Sequence, residues 1–196
     1  MRDMIKPSVS LFIICLITAF CLAFVNNTTK DTIAQRTQKD AEEQRRQVLS
    51  IADSFKRLET QQGAEDSNMI REAYAAYSGD KFAGYVFSAY PSGYGGEIAV
   101  TVGVGSDGRI TGVRIGANQE TPGLGSKTAE DRFTGQYIDK SIDNSIRVVK
   151  VPPKAGDEIQ AVSGATISSR AVTSAVQASA DMAKILLQEQ DGGGTK

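Results

Sequence analysis

The chain has 196 residues, enough for one domain and an appendage, with a net charge of −1 and no histidine. That balance removes the electrostatic case for nucleic acid. The missing imidazoles remove His-based hydrolysis, haem ligation through His and His-containing zinc sites.

Residues Pro7 to Val25 carry no charge. About 19 residues at 1.5 Å each span roughly 29 Å, close to the hydrocarbon thickness of a bilayer. Arg2 and Lys6 precede the span and outweigh Asp3, which predicts a cytoplasmic N-terminus (residues 1–6) and export of the remainder. A cleaved signal peptide is the competing reading. The apolar run is longer than such peptides use, and Ala23-Phe24-Val25 is a poor small-residue cleavage site. Phe20 before Cys21 likewise spoils a lipoprotein-type site. The expectation is a retained transmembrane helix over 7–25. Its cysteines, Cys15 and Cys21, would lie about 9 Å apart along the axis, too far for a disulfide. No cysteine follows, so iron–sulfur and thiol chemistry are absent downstream, and redox work would need an organic cofactor. Asn26 to Thr29 contains glycosylation-like triplets but reads more simply as a polar membrane exit.

From Lys30 to Thr60 the sequence is polar, without Gly or Pro. Val48, Ile51, Phe55 and Leu58 recur at helical steps, so a membrane-proximal helix and linker is expected over 26–62. Gln61 to Asp66 reads as a loop. A domain over 63–190 follows. Phe82 to Tyr90 is apolar on both alternating faces and predicts a strand covered on both sides. Ile98 to Val104, a turn at Gly105-Ser106-Asp107-Gly108, and Arg109 to Ala117 predict a hairpin. A short strand is expected over Ile146 to Val151, stopped by Pro152-Pro153. A closing helix over about Ser169 to Glu189 carries an apolar stripe of Val172, Val176, Ser179, Ala183 and Leu186. A loose tail, 191–196, ends the chain. Strands followed by a packed helix give an α+β fold, here a small antiparallel sheet with a C-terminal helix.

Two stretches carry the candidate site. Glu120-Thr121-Pro122-Gly123-Leu124-Gly125 follows the hairpin and continues into Ser126-Lys127-Thr128. The Gly-Ser-Lys-Thr run imitates a phosphate loop, yet Ser126 separates Gly125 from Lys127 where the Walker pattern needs them adjacent. An ATPase reading fails on that point. Leu124 between two glycines instead allows close backbone approach to a flat ligand. The second stretch, Ser163-Gly164-Ala165-Thr166-Ile167-Ser168-Ser169, groups hydroxyls at a helix start. Read by itself it is a helix cap. It is also a place to hold a phosphate, because first-turn N–H groups are unpaired and the dipole favours an anion. Tyr94, in the glycine-rich link Tyr90 to Gly96, is a weaker candidate for contact with a ring.

The order, spacing and position of these two motifs behind one N-terminal span resemble the covalent FMN-binding subunits of bacterial membrane redox complexes. The G subunit of the Rnf complex, an ion-translocating ferredoxin:NAD oxidoreductase, is the nearer match. The C subunit of the Na⁺-translocating NADH:quinone reductase is the homologous second. The resemblance covers essentially the whole chain. It implies that Thr166 carries FMN through a phosphoester, installed from FAD by a separate flavin transferase. It implies an electron relay on the extracytoplasmic side of the cell (inner) membrane, partnered by the other integral and peripheral subunits of such a complex.

Within that resemblance Ser163, Ser168 and Ser169 would bond phosphate oxygens, Gly164 would permit close approach and Ala165 would leave Thr166 accessible. Glu120, Thr121, Pro122, Gly123, Leu124 and Gly125 would contact the ring or ribityl chain, with Leu124 shielding the ring. No residue of this chain is expected to be catalytic or to bind metal. The family's transferase pattern usually has Asp six positions before the acceptor, and here Gln160 stands there. The alternatives are a flavoprotein of the quinone reductase or of another extracellular chain, and an anchored structural or interaction protein whose serine-rich motif is only a cap.

Overall fold

The N-terminal helix α1 runs from Arg2 to Val48 in the computed structural model, which describes residues 2–58 and 69–192. The chain divides into two compact units, Met1–Ala41 and Glu42–Lys196. In the first, Ser8–Lys30 is long and apolar enough to cross a membrane once. Its threonine hydroxyls are satisfied within the helix: Thr18 Oγ1 donates to the Ile14 carbonyl at 2.9 Å, Thr28 Oγ1 to that of Phe24 at 3.0 Å and Thr29 Oγ1 to that of Val25 at 2.9 Å. Internal bonding of this kind is what a hydrocarbon environment demands. Cys15 and Cys21 are free thiols.

The helix stops twelve residues short of the expected Thr60, and Ser54–Leu58 is instead a strand, β1. The reason lies in the three-residue step from Phe55 to Leu58. On a helix that step keeps one face, whereas on a strand it reverses the face. Phe55 packs with Val48, Leu49 and Ala52, while Leu58 packs on the other cluster, beside the closing helix. Ile51, the remaining member of the expected stripe, is 63% exposed. The expected loop at 61–66 lies outside the described residues.

Five strands form an antiparallel meander in the order β1, β2 (Ile70–Ser78), β3 (Lys81–Ala89), β4 (Ile98–Gly105) and β5 (Ile110–Asn118). The expected both-sides-covered strand is β3, buried from Ala83 through Ala89, and the expected hairpin is β4–β5. One sheet face receives the end of α1. Gly103 and Gly112 are cross-strand partners, and a Cβ on Gly103 would lie 2.6 Å from the Val48 carbonyl oxygen. Thr111 Oγ1 donates to that carbonyl at 2.5 Å, satisfying an acceptor the helix terminus leaves unpaired.

The other face packs against α3, Thr166–Gly192, through buried Val172, Ala175, Val176, Ser179 and Ala183, and with partly buried Leu186 this completes the predicted stripe. The helix is longer than expected at both ends and includes the first two residues of the expected tail. Between β5 and α3 lie a 3-10 turn at Gly125–Ala129, a short helix α2 at Asp131–Thr134, and two three-residue strands. These strands, β6 (Arg147–Val149) and β7 (Glu158–Gln160), pair in parallel. Tyr137 is fully buried there, its hydroxyl 2.7 Å from Thr173 Oγ1 on α3, and burial pushes its pKa well above the ordinary phenol value.

Candidate flavin site

Three segments converge at the start of α3: the link between β3 and β4, the loop after β5, and the turn that opens the helix. The last of these is built by Ala165 N–H donating to the Val162 carbonyl at 3.0 Å, with Gly164 at φ +79°. A positive φ at the third position of such a turn suits glycine alone among common residues at no steric cost. Thr166 then begins the helix, half-buried.

The hydroxyls of this turn divide sharply. Ser169 Oγ donates to the Ala165 carbonyl at 2.9 Å and accepts from Val162 N–H at 3.0 Å. Ser168 Oγ donates to Glu120 Oε2 at 2.7 Å. Both serines are buried, with their hydroxyl protons already committed to partners inside the protein. Ser163 is exposed, and neither it nor the Thr166 hydroxyl has a hydrogen-bond partner among the described residues. The residue before the helix is Ala165, and no side chain among the described residues caps the first-turn N–H groups. A pure cap would have placed a hydroxyl there.

The loop after β5 is tied by short-range bonds. Asn118 Oδ1 accepts from Glu120 N–H at 3.2 Å, the Thr121 carbonyl accepts from Leu124 N–H at 3.1 Å, and Ser126 Oγ accepts from Gly123 N–H at 2.9 Å. Thr121, Pro122, Gly123 and Leu124 lie on the outside, whereas Gly125 is buried. Leu124 is 45% exposed and abuts Gly164, where a Cβ would stand 3.1 Å from Leu124 Cδ2. The two sequence motifs are therefore in contact.

Glu120 turns inward and is only 6% exposed. Its Oε1 accepts from the backbone N–H groups of Tyr94 at 2.8 Å and Gly95 at 3.1 Å, while Oε2 accepts from Ser168. A Cβ on Gly93 or on Gly125 would overlap this carboxylate. Tyr94 itself stands out at 72% exposure, in the same assembly as Leu124 and Thr166. Sequence reasoning missed Gly93, whose signal was its place in the glycine-rich link, and Ile167, an apolar residue 56% exposed beside Thr166. It also missed Gln136, whose carboxamide bonds both the N–H and the carbonyl of Gln160, at 2.7 and 3.2 Å. Gln160 and Ser163 line a cavity of about 530 Å³ with Lys127, Arg132 and Phe133.

These residues fit a flavin mononucleotide. Uncapped N–H groups and the helix dipole suit a phosphate, Thr166 offers an unpaired hydroxyl, and Tyr94, Leu124 and Ile167 expose apolar surface for a planar ring.

Comparison with known proteins agrees. The FMN-binding domain family matches residues 93–181, and the family of RnfG N-terminal regions matches residues 1–48. The G subunit of the Na⁺-translocating ferredoxin:NAD⁺ oxidoreductase complex of Acetobacterium woodii is 37% identical over 187 residues, covering 89% of this chain and 88% of that one. Its counterpart in the proton-translocating ferredoxin:NAD⁺ oxidoreductase complex of Clostridium ljungdahlii is 36% identical over 168 residues, covering 86% and 85%. Among solved structures, the C subunit of the Na⁺-translocating NADH-quinone reductase of Parabacteroides distasonis superposes with a TM-score of 0.51 at 25% identity, over 59% of this chain and 62% of that one. The chain belongs to the family of G subunits of ion-translocating Rnf-type oxidoreductase complexes, and it carries their FMN-binding domain.

Proposed function

We propose that this chain is the membrane-anchored electron relay of an Rnf-type complex, with FMN held as a phosphoester on Thr166. The observation that carries the attachment point is the inequality among the hydroxyls of the turn. Ser168 and Ser169 are locked in internal bonds, and Thr166 alone sits on the first turn of α3 with its hydroxyl unpaired. Ser163 precedes the helix by three residues and lies on the far side of Gly164.

In the loading step Thr166 Oγ1 attacks the flavin-side phosphorus of FAD, which a separate flavin transferase presents. The Oγ1–P bond forms, the P–O bond of the diphosphate bridge breaks, and AMP departs with the bridging oxygen. The hydroxyl proton passes to solvent or to the leaving group, and no electrons change hands. The phosphoester keeps its negative charge beside the helix start, where the dipole and free N–H groups stabilise an anion. Leu124 and Tyr94 present the apolar surface that flanks a ring. When bound, the flavin supplies a carrier of one or two electrons, and the protein tunes it through burial, hydrogen bonds and charge.

Arg2 and Lys6 ahead of the apolar span favour a cytoplasmic N-terminus, a single-pass anchor over 7–25 and an FMN domain outside the inner membrane. The expected boundary at 62/63 would cut β1 from its sheet, so the FMN domain is read as including Ser54–Leu58 as well as 63–190. The partners are the remaining subunits of the complex and the transferase. The test is co-production with a flavin transferase followed by in-gel flavin fluorescence under denaturing conditions. The wild-type band is expected to fluoresce and Thr166→Ala to be dark, and a fluorescent Thr166→Ala band would refute the attachment.

A further inference from the structure

The side chain that ties the three converging segments together points inward rather than to the surface. Glu120 is almost wholly buried, yet it forms no salt bridge with any described Lys or Arg. Three donors satisfy it instead: Tyr94 N–H, Gly95 N–H and Ser168 Oγ–H. A buried carboxylate without a cation is costly unless such donors are in place. Gly93 and Gly125 leave the space the carboxylate fills, because a Cβ on either would overlap it. The three segments it joins are those that carry, on their outer side, Tyr94, Leu124 and Thr166.

We propose that Glu120 is a positioning residue for flavin loading. It fixes the Thr166 hydroxyl and the helix start against the Tyr94 link and the Leu124 loop before any flavin arrives. Ser168 is two residues beyond Thr166 on the first turn of α3, so the 2.7 Å bond from its hydroxyl holds the acceptor's turn directly. Without that bond the turn and the loop are free to shift relative to each other. A displacement of about 1 Å between reacting groups lowers rates by up to about a hundredfold. The chemistry served is the transfer described above, from FAD to Thr166 with loss of AMP. The inference therefore rests on that reading.

The test uses the full-length, detergent-solubilised chain, purified flavin transferase and FAD, with initial loading rates read by in-gel fluorescence. Glu120→Ala is expected to load at least about tenfold more slowly, with the loss in kcat rather than in KM for the protein substrate. Glu120→Gln keeps an acceptor for the two backbone N–H groups, and its amide can donate to Ser168 Oγ. It should restore loading to within about threefold of wild type. Ser168→Ala breaks one arm of the clamp and should slow loading while leaving folding intact. It decides the question if circular dichroism shows that Glu120→Ala does not fold. Loading of Glu120→Ala or Ser168→Ala at the wild-type rate would overturn the proposal, as would Glu120→Gln loading as slowly as Glu120→Ala. Thr166→Ala is run in parallel: fluorescence there refutes the acceptor, whereas a dark Thr166→Ala with fast Glu120→Ala refutes only the positioning role.

Discussion

Leu124 packs directly against the α-carbon of Gly164, so closely that a Cβ there would stand 3.1 Å from Leu124 Cδ2. One residue belongs to the loop after β5 and the other to the turn before α3, about forty positions later in the chain. Their contact turns two separated motifs into a single surface. Gly164 also holds φ at +79°, so its lack of a side chain serves both the turn and the contact.

Gly164→Ala should therefore cost more than a cavity-neutral change. Left-handed backbone in a non-glycine residue costs roughly 1–2 kcal/mol. The new methyl must also push Leu124 aside. A fall in melting temperature of about 2–8 °C is expected, together with slower flavin loading. A melting curve and a loading time course check both, and an unchanged loading rate would detach the contact from function.

Tyr94→Ala should leave stability within about 0.5 kcal/mol, since the side chain is exposed and Glu120 holds only the backbone N–H. Covalent loading should persist. Loss of a tyrosine beside the ring should raise the fluorescence yield per flavin, because tyrosine quenches excited flavin by donating an electron. An unchanged yield would remove Tyr94 from the site.

Tyr137 and Thr173 predict an asymmetry. Tyr137→Phe leaves Thr173 Oγ1 donating to the Ser169 carbonyl at 2.8 Å and should cost about 1 kcal/mol. Thr173→Val strands a buried phenol and should cost about 1–3 kcal/mol.

The same phenol gives a pH signature. Its folded pKa is raised by burial above the unfolded value of 10.0, so its contribution is fully present below pH 10 and is lost as pH rises further. Tyr74 and Tyr85, also raised chiefly by burial, act in the same direction. Chemical denaturation across that range should show stability falling with pH above 10, and less steeply in Tyr137→Phe.

Gly103→Ala probes the seat of α1 on the sheet. Its Cβ would fall 2.6 Å from the Val48 carbonyl oxygen, so the helix end must lift. A loss of about 1–3 kcal/mol is expected, with faster hydrogen exchange over residues 42–52. Flavin loading should be unaffected, because the α3 side of the sheet packs in a separate cluster.

Where the sequence pattern was strong, the fold was legible from it. The alternation of β4 and β5 and the stripe from Val172 to Ala183 are each set by one dominant period. β2 escaped notice because Ala73, Ala75 and Ala76 are poor strand formers. They are small because the sheet is packed on both faces there. β1 was misread because Val48, Ile51, Phe55 and Leu58 fit a helical step that the structure breaks at Leu49. The two motifs were legible as sequence, but the orientations of their side chains were not. Nothing in the letters Glu120, Ser168 and Ser169 says whether a polar side chain points to a ligand or inward to a backbone donor. For Glu120 that depends on Tyr94 and Gly95, some 25 residues away, and for Ser168 on Glu120 itself, 48 positions away.

The most direct test of the account is the mass of one tryptic peptide. Cleavage after Lys154 and Arg170 releases residues 155–170, which hold Thr166 together with Ser163, Ser168 and Ser169. From protein matured in the presence of the transferase, this peptide should carry one FMN less a water, and fragmentation should place that mass on Thr166. An unmodified peptide, or the added mass on any of the three serines, would contradict it.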